Sequence, residues 1–115
     1  MRYLLMIYEE PPPVAPTEAQ WGAMMGEYNA YTTWLQETGK LLGGEALHPV
    51  SDATTVSVRD GRRVVTDGPF AETKEHLGGY YLIDVPGLDD AIEAAARIPG
   101  ARFGKVEIRP IMEMG

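Results

Sequence analysis

The feature that most constrains this chain is a short apolar run at its start. Residues 2 to 8 read Arg-Tyr-Leu-Leu-Met-Ile-Tyr, and apolar side chains occupy both alternating sets of positions. Successive side chains of a strand point to opposite faces, so this pattern predicts a strand that is covered on both faces. The strand ends before three consecutive prolines, Pro11 to Pro13, which lack the amide donors that a sheet requires.

Two helices are predicted from helical spacing and from their end signals. The first begins at Thr17, which forms a capping-box pattern with Gln20, and it ends at Gly39. The second runs between Gly87 and Pro99, with acidic residues in its first turn. The aromatic stripe of the first helix is interpreted as core against a sheet, with a tyrosine hydroxyl lining a cleft as the alternative. This stripe consists of Trp21, Tyr28 and Tyr31.

Five further strands complete the pattern. Asp60-Gly61 lies between two alternating runs and is a strong hairpin signal, because both turn positions require positive φ. Gly43 and Gly44 mark a bulge or a close backbone approach in the preceding strand. The predicted strands span residues 40–47, 54–59, 62–66, 79–85 and 105–108.

This order of elements predicts an α+β fold in one domain of residues 1–115. It corresponds to a ferredoxin-like split βαβ arrangement with an inserted β-hairpin. Two right-handed crossovers place the first strand in the middle of the sheet. Both helices then cover one face only, whereas the first strand is apolar toward both faces. We therefore expect a second copy of the chain to cover the open face in a homodimer.

Composition narrows the classes of partner. The 115 residues include no cysteine, and ten basic residues against 17 acidic ones give a formal net charge of -7. This balance argues against nucleic-acid binding, which depends on clustered lysine and arginine. No apolar run approaches the roughly 20 residues that a membrane-spanning helix requires. We therefore expect no membrane association and a cytoplasmic location.

Residues 66–82 resemble the signature of one branch of a known family. They read Thr-Asp-Gly-Pro-Phe-Ala-Glu-Thr-Lys-Glu-His-Leu-Gly-Gly-Tyr-Tyr-Leu, which is similar to the DGPF branch of the YCII-related family. Residues 43–49 and 54–61 resemble the same family, so the resemblance covers nearly the whole chain. It implies a dimeric α+β barrel built from ferredoxin-like subunits. It also implies a gene association with extracytoplasmic-function sigma factors.

The resemblance carries an implication for chemistry. A histidine and an aspartate in a cleft have been proposed to act in YCII-related proteins, and one relative is a dehydrochlorinase of chlorinated hydroquinones. In this chain the corresponding position of the first helix falls near Tyr28. Because a phenol is a poorer base than an imidazole at neutral pH, the pair does not transfer directly.

The candidate catalytic residues are Asp67, His48 and Tyr28. Asp67 opens the sequence Asp-Gly-Pro-Phe, which is interpreted either as a sharp turn or as a carboxylate base at a cleft walled by Phe70. His48 ends a strand and has a side chain that titrates near neutrality, so it can relay a proton. The predicted site lies where this turn, the strand end from Glu45 to His48 and the first helix approach one another.

Charged residues follow that motif. Residues Ala71 to His76 can form one helical turn, which places Glu72 on the same side as Glu75 or His76. A solvated turn is one interpretation, and a polar cluster in the cleft with Lys74 as an anion contact is the other. The two histidines lack metal-ligand spacing, so neither a metal nor a cofactor is predicted.

Two arginines, Arg59 and Arg62, flank the predicted hairpin turn and lie opposite each other. Like charges at such positions are unfavourable unless water solvates them. A splayed, solvated tip is one interpretation, and a contact with an anion or an acidic partner is the other.

Two functions fit these observations. The first is a small enzyme that performs cofactor-independent acid–base chemistry on a small polar or aromatic molecule in a cleft near the dimer interface. The second is a non-catalytic ligand-binding or regulatory module linked to sigma-factor-dependent transcription. Convergent titratable groups around a pocket favour the enzyme, and an exposed apolar patch favours the module.

Overall fold

A computed structural model describes residues 1–114 and contains two α-helices and six strands in that part of the chain. The order confirms the predicted α+β class and the hairpin between the second and fifth strands. Single 3-10 turns occupy Val50–Asp52 and Pro99–Arg102. The elements are β1 (Arg2–Glu9), α1 (Glu18–Glu37), β2 (Leu41–Ala46), β3 (Thr54–Arg59), β4 (Arg62–Asp67), β5 (His76–Asp84), α2 (Leu88–Ala96) and β6 (Lys105–Pro110).

The main sheet is antiparallel and has the strand order β2-β5-β1-β6. Strand β1 lies inside the sheet, between β5 and β6, as its apolar character on both faces predicts. Strands β3 and β4 form a separate two-stranded sheet. Their turn has positive φ at Asp60 (52°) and Gly61 (73°), which confirms the predicted hairpin.

The core lies on the face of the sheet that the helices cover. Alternate residues of β1, namely Tyr3, Leu5 and Ile7, are buried there. Tyr31 of α1 is buried against the same core, and its hydroxyl donates a hydrogen bond to the Ala94 carbonyl at 2.8 Å. The most deeply buried large side chains are Leu5, Leu35, Ile83 and Ile98.

Helix α1 begins as predicted but is only partly packed. Thr17 and Gln20 form a complete capping box. The buried residues of α1, Tyr31 and Leu35, lie in its C-terminal half. Trp21 lies outside this packed half and is 60% exposed, so its assignment to the core is wrong. Within the described residues, neither helix is both long enough and apolar enough to cross a bilayer.

The opposite face of the sheet carries no helix and is called the open face. Alternation along β1 directs Leu4, Met6 and Tyr8 to this face, where all three are half-buried. Met6 lies opposite Tyr80, and Leu4 lies opposite Leu82. The open face is therefore apolar at its centre. Charged residues of β6 follow at its edge, namely Lys105, Glu107 and Arg109.

The two glycines of β2 occupy different environments and allow a matched test. A Cβ atom on Gly44 would lie 2.8 Å from the Tyr80 carbonyl oxygen, whereas one on Gly43 would meet nothing within 4 Å. The predicted bulge and the predicted close approach are both present in β2. The register with β5 shifts between Leu41 and Gly43, which marks the bulge. The chain approaches β5 too closely at Gly44 for a side chain.

We expect Gly44→Ala to lower the free energy of unfolding by about 1–3 kcal/mol, because backbone atoms cannot move aside. Gly43→Ala is the control, and we expect it to change stability by less than about 1 kcal/mol. Urea denaturation followed by circular dichroism measures both variants. Equal effects at the two positions would contradict the packing described for β2.

Candidate acid–base site

Glu9 is the last residue of β1, and it lies on the face of this strand that meets the helices. A Cβ atom on Gly100 would approach both the Glu9 carboxylate and the Ile7 side chain, so these two side chains share that face. Glu9 is half-buried, and burial raises the pKa of its carboxyl above the ordinary value of 4.5. Within residues 1–114 it forms no ion pair.

The hydroxyl of Tyr28 lies against the same glycine. The backbone N–H of Gly100 donates a hydrogen bond to it at 3.2 Å. Burial, and then the nearby Glu9 carboxylate, raise the pKa of Tyr28 to about 12. The phenol therefore keeps its proton at neutral pH and can act as a hydrogen-bond donor to a bound molecule.

His76 reaches this position through a bulge in β5. Ile7 pairs with Gly79, but Tyr8 pairs with Leu77 and Glu9 with His76, so β5 carries one extra residue here. Cross-strand partners share a face, with Cβ atoms about 5 Å apart. Without the bulge, Glu9 would lie opposite Leu77.

A hydrogen bond orients the His76 ring. Its Nε2 lies 2.9 Å from the Thr73 carbonyl oxygen. A carbonyl only accepts, so Nε2 carries the proton and donates it. The Nδ1 atom then bears the lone pair of the neutral ring and can accept a proton.

We call Glu9, Tyr28 and His76 the Glu9 cluster. Two other carboxylates in its neighbourhood are neutralised by cations. Glu75, next to His76 in sequence, pairs with Lys105. Glu27, next to Tyr28 in sequence, pairs with Arg102 at 2.5 Å. A carboxyl, a phenol and an imidazole thus lie at one end of the sheet, and their chemistry suits proton transfer.

Two other predicted site residues, His48 and Phe70, lie in a groove that is separate from the Glu9 cluster. His48 and Phe70 line a groove of about 390 Å³, together with Leu47 and Leu77. The His48 side chain is 89% exposed, and its Nδ1 lies 3.2 Å from Asp52, which is its carboxylate partner in the structure. Neither Asp67 nor Tyr28 lines this groove.

The remaining predicted ligand contacts are exposed. Glu45 lies on β2 opposite Tyr80. Glu72 and Lys74 lie in an irregular segment, so the predicted helical turn over residues 71–76 is wrong. The Thr73 hydroxyl instead donates to the Glu75 carbonyl at 2.6 Å, and His76 joins β5 through its pairing with the end of β1. Because of this pairing, β5 begins at His76, three residues before the predicted first residue, Gly79.

A turn follows Asp67, and backbone contacts hold it. Gly68 has φ of 97°, its N–H donates to the Ala53 carbonyl at 2.7 Å, and its carbonyl accepts from the Thr55 hydroxyl at 2.7 Å. The turn depends on Gly68 and Thr55. Within the described residues, the Asp67 side chain contributes no hydrogen bond to it.

A second groove of about 500 Å³ lies between α1 and residues 96–102. Its two arginines are already paired, Arg97 with Glu93 and Arg102 with Glu27. Arg97 also lies 4.2 Å from the centre of the Trp34 ring. The charged side chains that line this groove therefore already have ion-pair partners. Among residues 1–114, no three histidine or acidic side chains are placed to hold a metal ion.

Sequence reasoning missed Glu9, although the sequence contains a signal for it. The inward alternation of the first strand runs Tyr3, Leu5, Ile7 and then Glu9, so a buried series of side chains ends in a carboxylate. Local spacing groups His76 with its neighbours Glu72 and Glu75, and it does not reveal the cross-strand pairing of His76 with Glu9.

Comparison with known proteins agrees with this description. Two helices on one face of a four-stranded antiparallel sheet define a ferredoxin-like α+β protein. The sequence pattern of the YCII-related domain matches residues 1–115, and the chain belongs to the YCII-related family.

Two relatives extend the comparison. The chain is 40% identical over 90 residues to an uncharacterised protein of Rhizobium meliloti, covering 76% of this chain and 73% of that one. Its fold is similar to that of 5-chloro-2-hydroxyhydroquinone dehydrochlorinase from Burkholderia phenoliruptrix, solved with 2,5-dihydroxybenzoquinone. The TM-score is 0.51 at 12% identity, over 99% of this chain and 96% of that one, which shows a shared fold.

Two substitutions at the turn after β4 distinguish the backbone conformation of Gly68 from the charge of Asp67. We expect Gly68→Ala to lower the free energy of unfolding by about 1 kcal/mol, because its φ of 97° strains an alanine although the space around it is open. We expect Asp67→Asn to change stability by less than about 0.5 kcal/mol. Thermal unfolding measures both. A larger loss in Asp67→Asn than in Gly68→Ala would make the aspartate a structural residue of the turn.

Glu9 has a predicted effect on stability with a definite sign. Its raised pKa means that the folded chain holds this proton more tightly than the unfolded chain. Glu9 therefore favours folding below its ordinary pKa, and this contribution is lost as pH rises through the folded pKa. Glutamine cannot ionise, so we expect Glu9→Gln to be more stable than wild type at about pH 7 and similar to it below about pH 4.

Urea denaturation of both proteins at the two pH values measures this difference. Glu10→Gln changes the adjacent, exposed residue and serves as the control. A Glu9→Gln protein that is less stable than wild type at neutral pH would show that Glu9 is a structural carboxylate.

Proposed function

We propose that the protein binds and transforms a small polar or aromatic molecule by cofactor-independent acid–base chemistry at the Glu9 cluster. The observation that carries this proposal is the half-buried carboxyl of Glu9 beside a protonated phenol: its pKa is raised, and no cation of residues 1–114 pairs with it. A half-buried carboxylate that pairs with no cation among residues 1–114 reduces stability, and its presence supports a role in function.

The three side chains have complementary roles in this proposal. Ionised Glu9 removes a proton from the bound molecule, and the electron pair stays on that molecule. The Tyr28 hydroxyl donates a hydrogen bond to the oxygen on which negative charge develops. His76 takes this proton from the Glu9 carboxyl at Nδ1, which regenerates the carboxylate, and returns it to the molecule in the later step.

We also propose that the chain forms a homodimer. The apolar centre of the open face, formed by Leu4, Met6 and Tyr8 with Tyr80 and Leu82, supports it, because one chain leaves these side chains half-buried. We expect the interface to exceed the roughly 1,600 Å² of a standard protein–protein contact. Membership of the DGPF branch and a cytoplasmic location stay predictions.

A second candidate function is the ligand-binding or regulatory module associated with a sigma factor. The observation that favours it is the exposed apolar surface on β3 and β4, where Val56, Val58 and Val65 are each more than half exposed. The groove with His48 and Phe70 would then hold the ligand, and Asp67 at the end of β4 stays a candidate contact.

The acid–base proposal is tested with 2-hydroxyhydroquinone under nitrogen, a phenol of the class that the structurally similar dehydrochlorinase acts on. We expect wild-type protein to bind it in calorimetry and to accelerate exchange of its ring hydrogens in D₂O. We expect Glu9→Gln to slow this exchange about 100-fold or more, as for loss of a general base. We expect Tyr28→Phe to weaken binding about tenfold, which corresponds to 1.4 kcal/mol.

Glu10→Gln is the matched control, and we expect wild-type behaviour from it. Equal exchange by wild type and Glu9→Gln would contradict the assignment of Glu9 as the base. If the wild-type protein neither binds this phenol nor catalyses exchange, the proposed substrate class is wrong and the regulatory module becomes the better account.

A further inference from the structure

Strands β3 and β4 form an arm, residues 54–67, that stands apart from the main sheet. They make a two-stranded sheet of their own, and every residue of β4 is exposed. The Cα radius of gyration of 16.3 Å exceeds the roughly 13 Å expected for a compact chain of this length. The arm is therefore not packed into the body of its own chain.

One face of the arm carries three exposed valines. Val56 pairs with Val65 across the two strands, and Val58, which lies opposite Arg63, follows on the same face. These side chains are 58%, 61% and 59% exposed. A two-stranded hairpin is marginally stable alone in water, and an aligned apolar surface of this kind marks a contact with a partner. The opposite face is mainly polar, with Ser57 and Thr66 beside Val64.

The charge of the arm differs in sign from that of the remaining chain. Three arginines at the tip, Arg59, Arg62 and Arg63, against Asp60 and Asp67 leave the arm with a charge of +1. The chain as a whole has a net charge of -7, so the remaining residues carry -8. An acidic protein surface suits the tip, and the body of a second copy of this chain provides one.

We propose that the arm packs against the body of a second copy, with its valine face on the partner and its arginine tip on acidic partner surface. This inference rests on the homodimer proposed above and names a contact beyond the open face. Two arms related by a two-fold axis would make the same contact twice and close the assembly. Phe70, next to the arm and 91% exposed, would be covered in the same contact.

Sedimentation equilibrium tests this contact. A triple variant, Val56→Thr with Val58→Thr and Val65→Thr, keeps β-branched side chains in the strands and removes apolar surface from one face. We expect it to raise the dimer dissociation constant at least about tenfold, because buried hydroxyls would lack partners. Val64→Thr changes the opposite face and is the control, with dimerisation unchanged. Circular dichroism confirms that each variant is folded.

A labelled arm gives a second, direct measurement. The chain has no cysteine, so a polarity-sensitive fluorophore can be attached at a single site through Val58→Cys. We expect its emission to shift to the blue when excess unlabelled wild-type protein is added, and the same label at Ser57→Cys to shift little. Moderate salt should reduce the shift, because it screens the arginine tip.

The outcomes separate the two proposals. A wild-type chain that stays monomeric at about 100 μM overturns both the homodimer and the arm contact. A wild-type dimer that the triple variant forms equally well, with no emission shift at position 58, overturns the arm contact alone. Neither outcome bears on ring-hydrogen exchange at Glu9, which tests the proposed chemistry by itself.

Discussion

Strand β1 is the element on which the rest of this structure depends. It pairs with β5 on one side and with β6 on the other, so it is hydrogen-bonded along both edges. Its inward residues, including the fully buried Leu5, meet the helices, and its outward residues remain half-buried. Burial of apolar surface is favourable, so the helical layer covers one face of this strand, and the homodimer proposed above would cover the other.

The same strand also sets the position of the candidate site. Its inward alternation ends at Glu9, two residues before the prolines that stop the sheet, so a carboxyl lies at the margin of the core. Cations pair with Glu27 and Glu75 in the same region, whereas no cation among residues 1–114 pairs with Glu9. Burial without a counter-charge explains its raised pKa. The Tyr28 hydroxyl lies near it against Gly100, and His76 is its cross-strand partner.

Local sequence patterns predicted the parts of the fold that depend on short-range physics. The Asp60-Gly61 turn was predictable because few residues tolerate positive φ, and the order of elements fixed the central position of β1. The pairing of Glu9 with His76 was not predictable, because a one-residue bulge in β5 determines it. Trp21 has helical spacing like Tyr31, but spacing does not reveal which half of a helix meets the sheet.

The most direct test of this account is a carboxyl ¹³C NMR titration of Glu9 in the folded protein. The proposed acid–base site depends on a carboxyl that is partly withdrawn from water and that pairs with no cation among residues 1–114. The account predicts a titration midpoint above the ordinary value of 4.5. A midpoint at or below that value would mean that water or a cation stabilises the carboxylate, and it would contradict the proposed acid–base site.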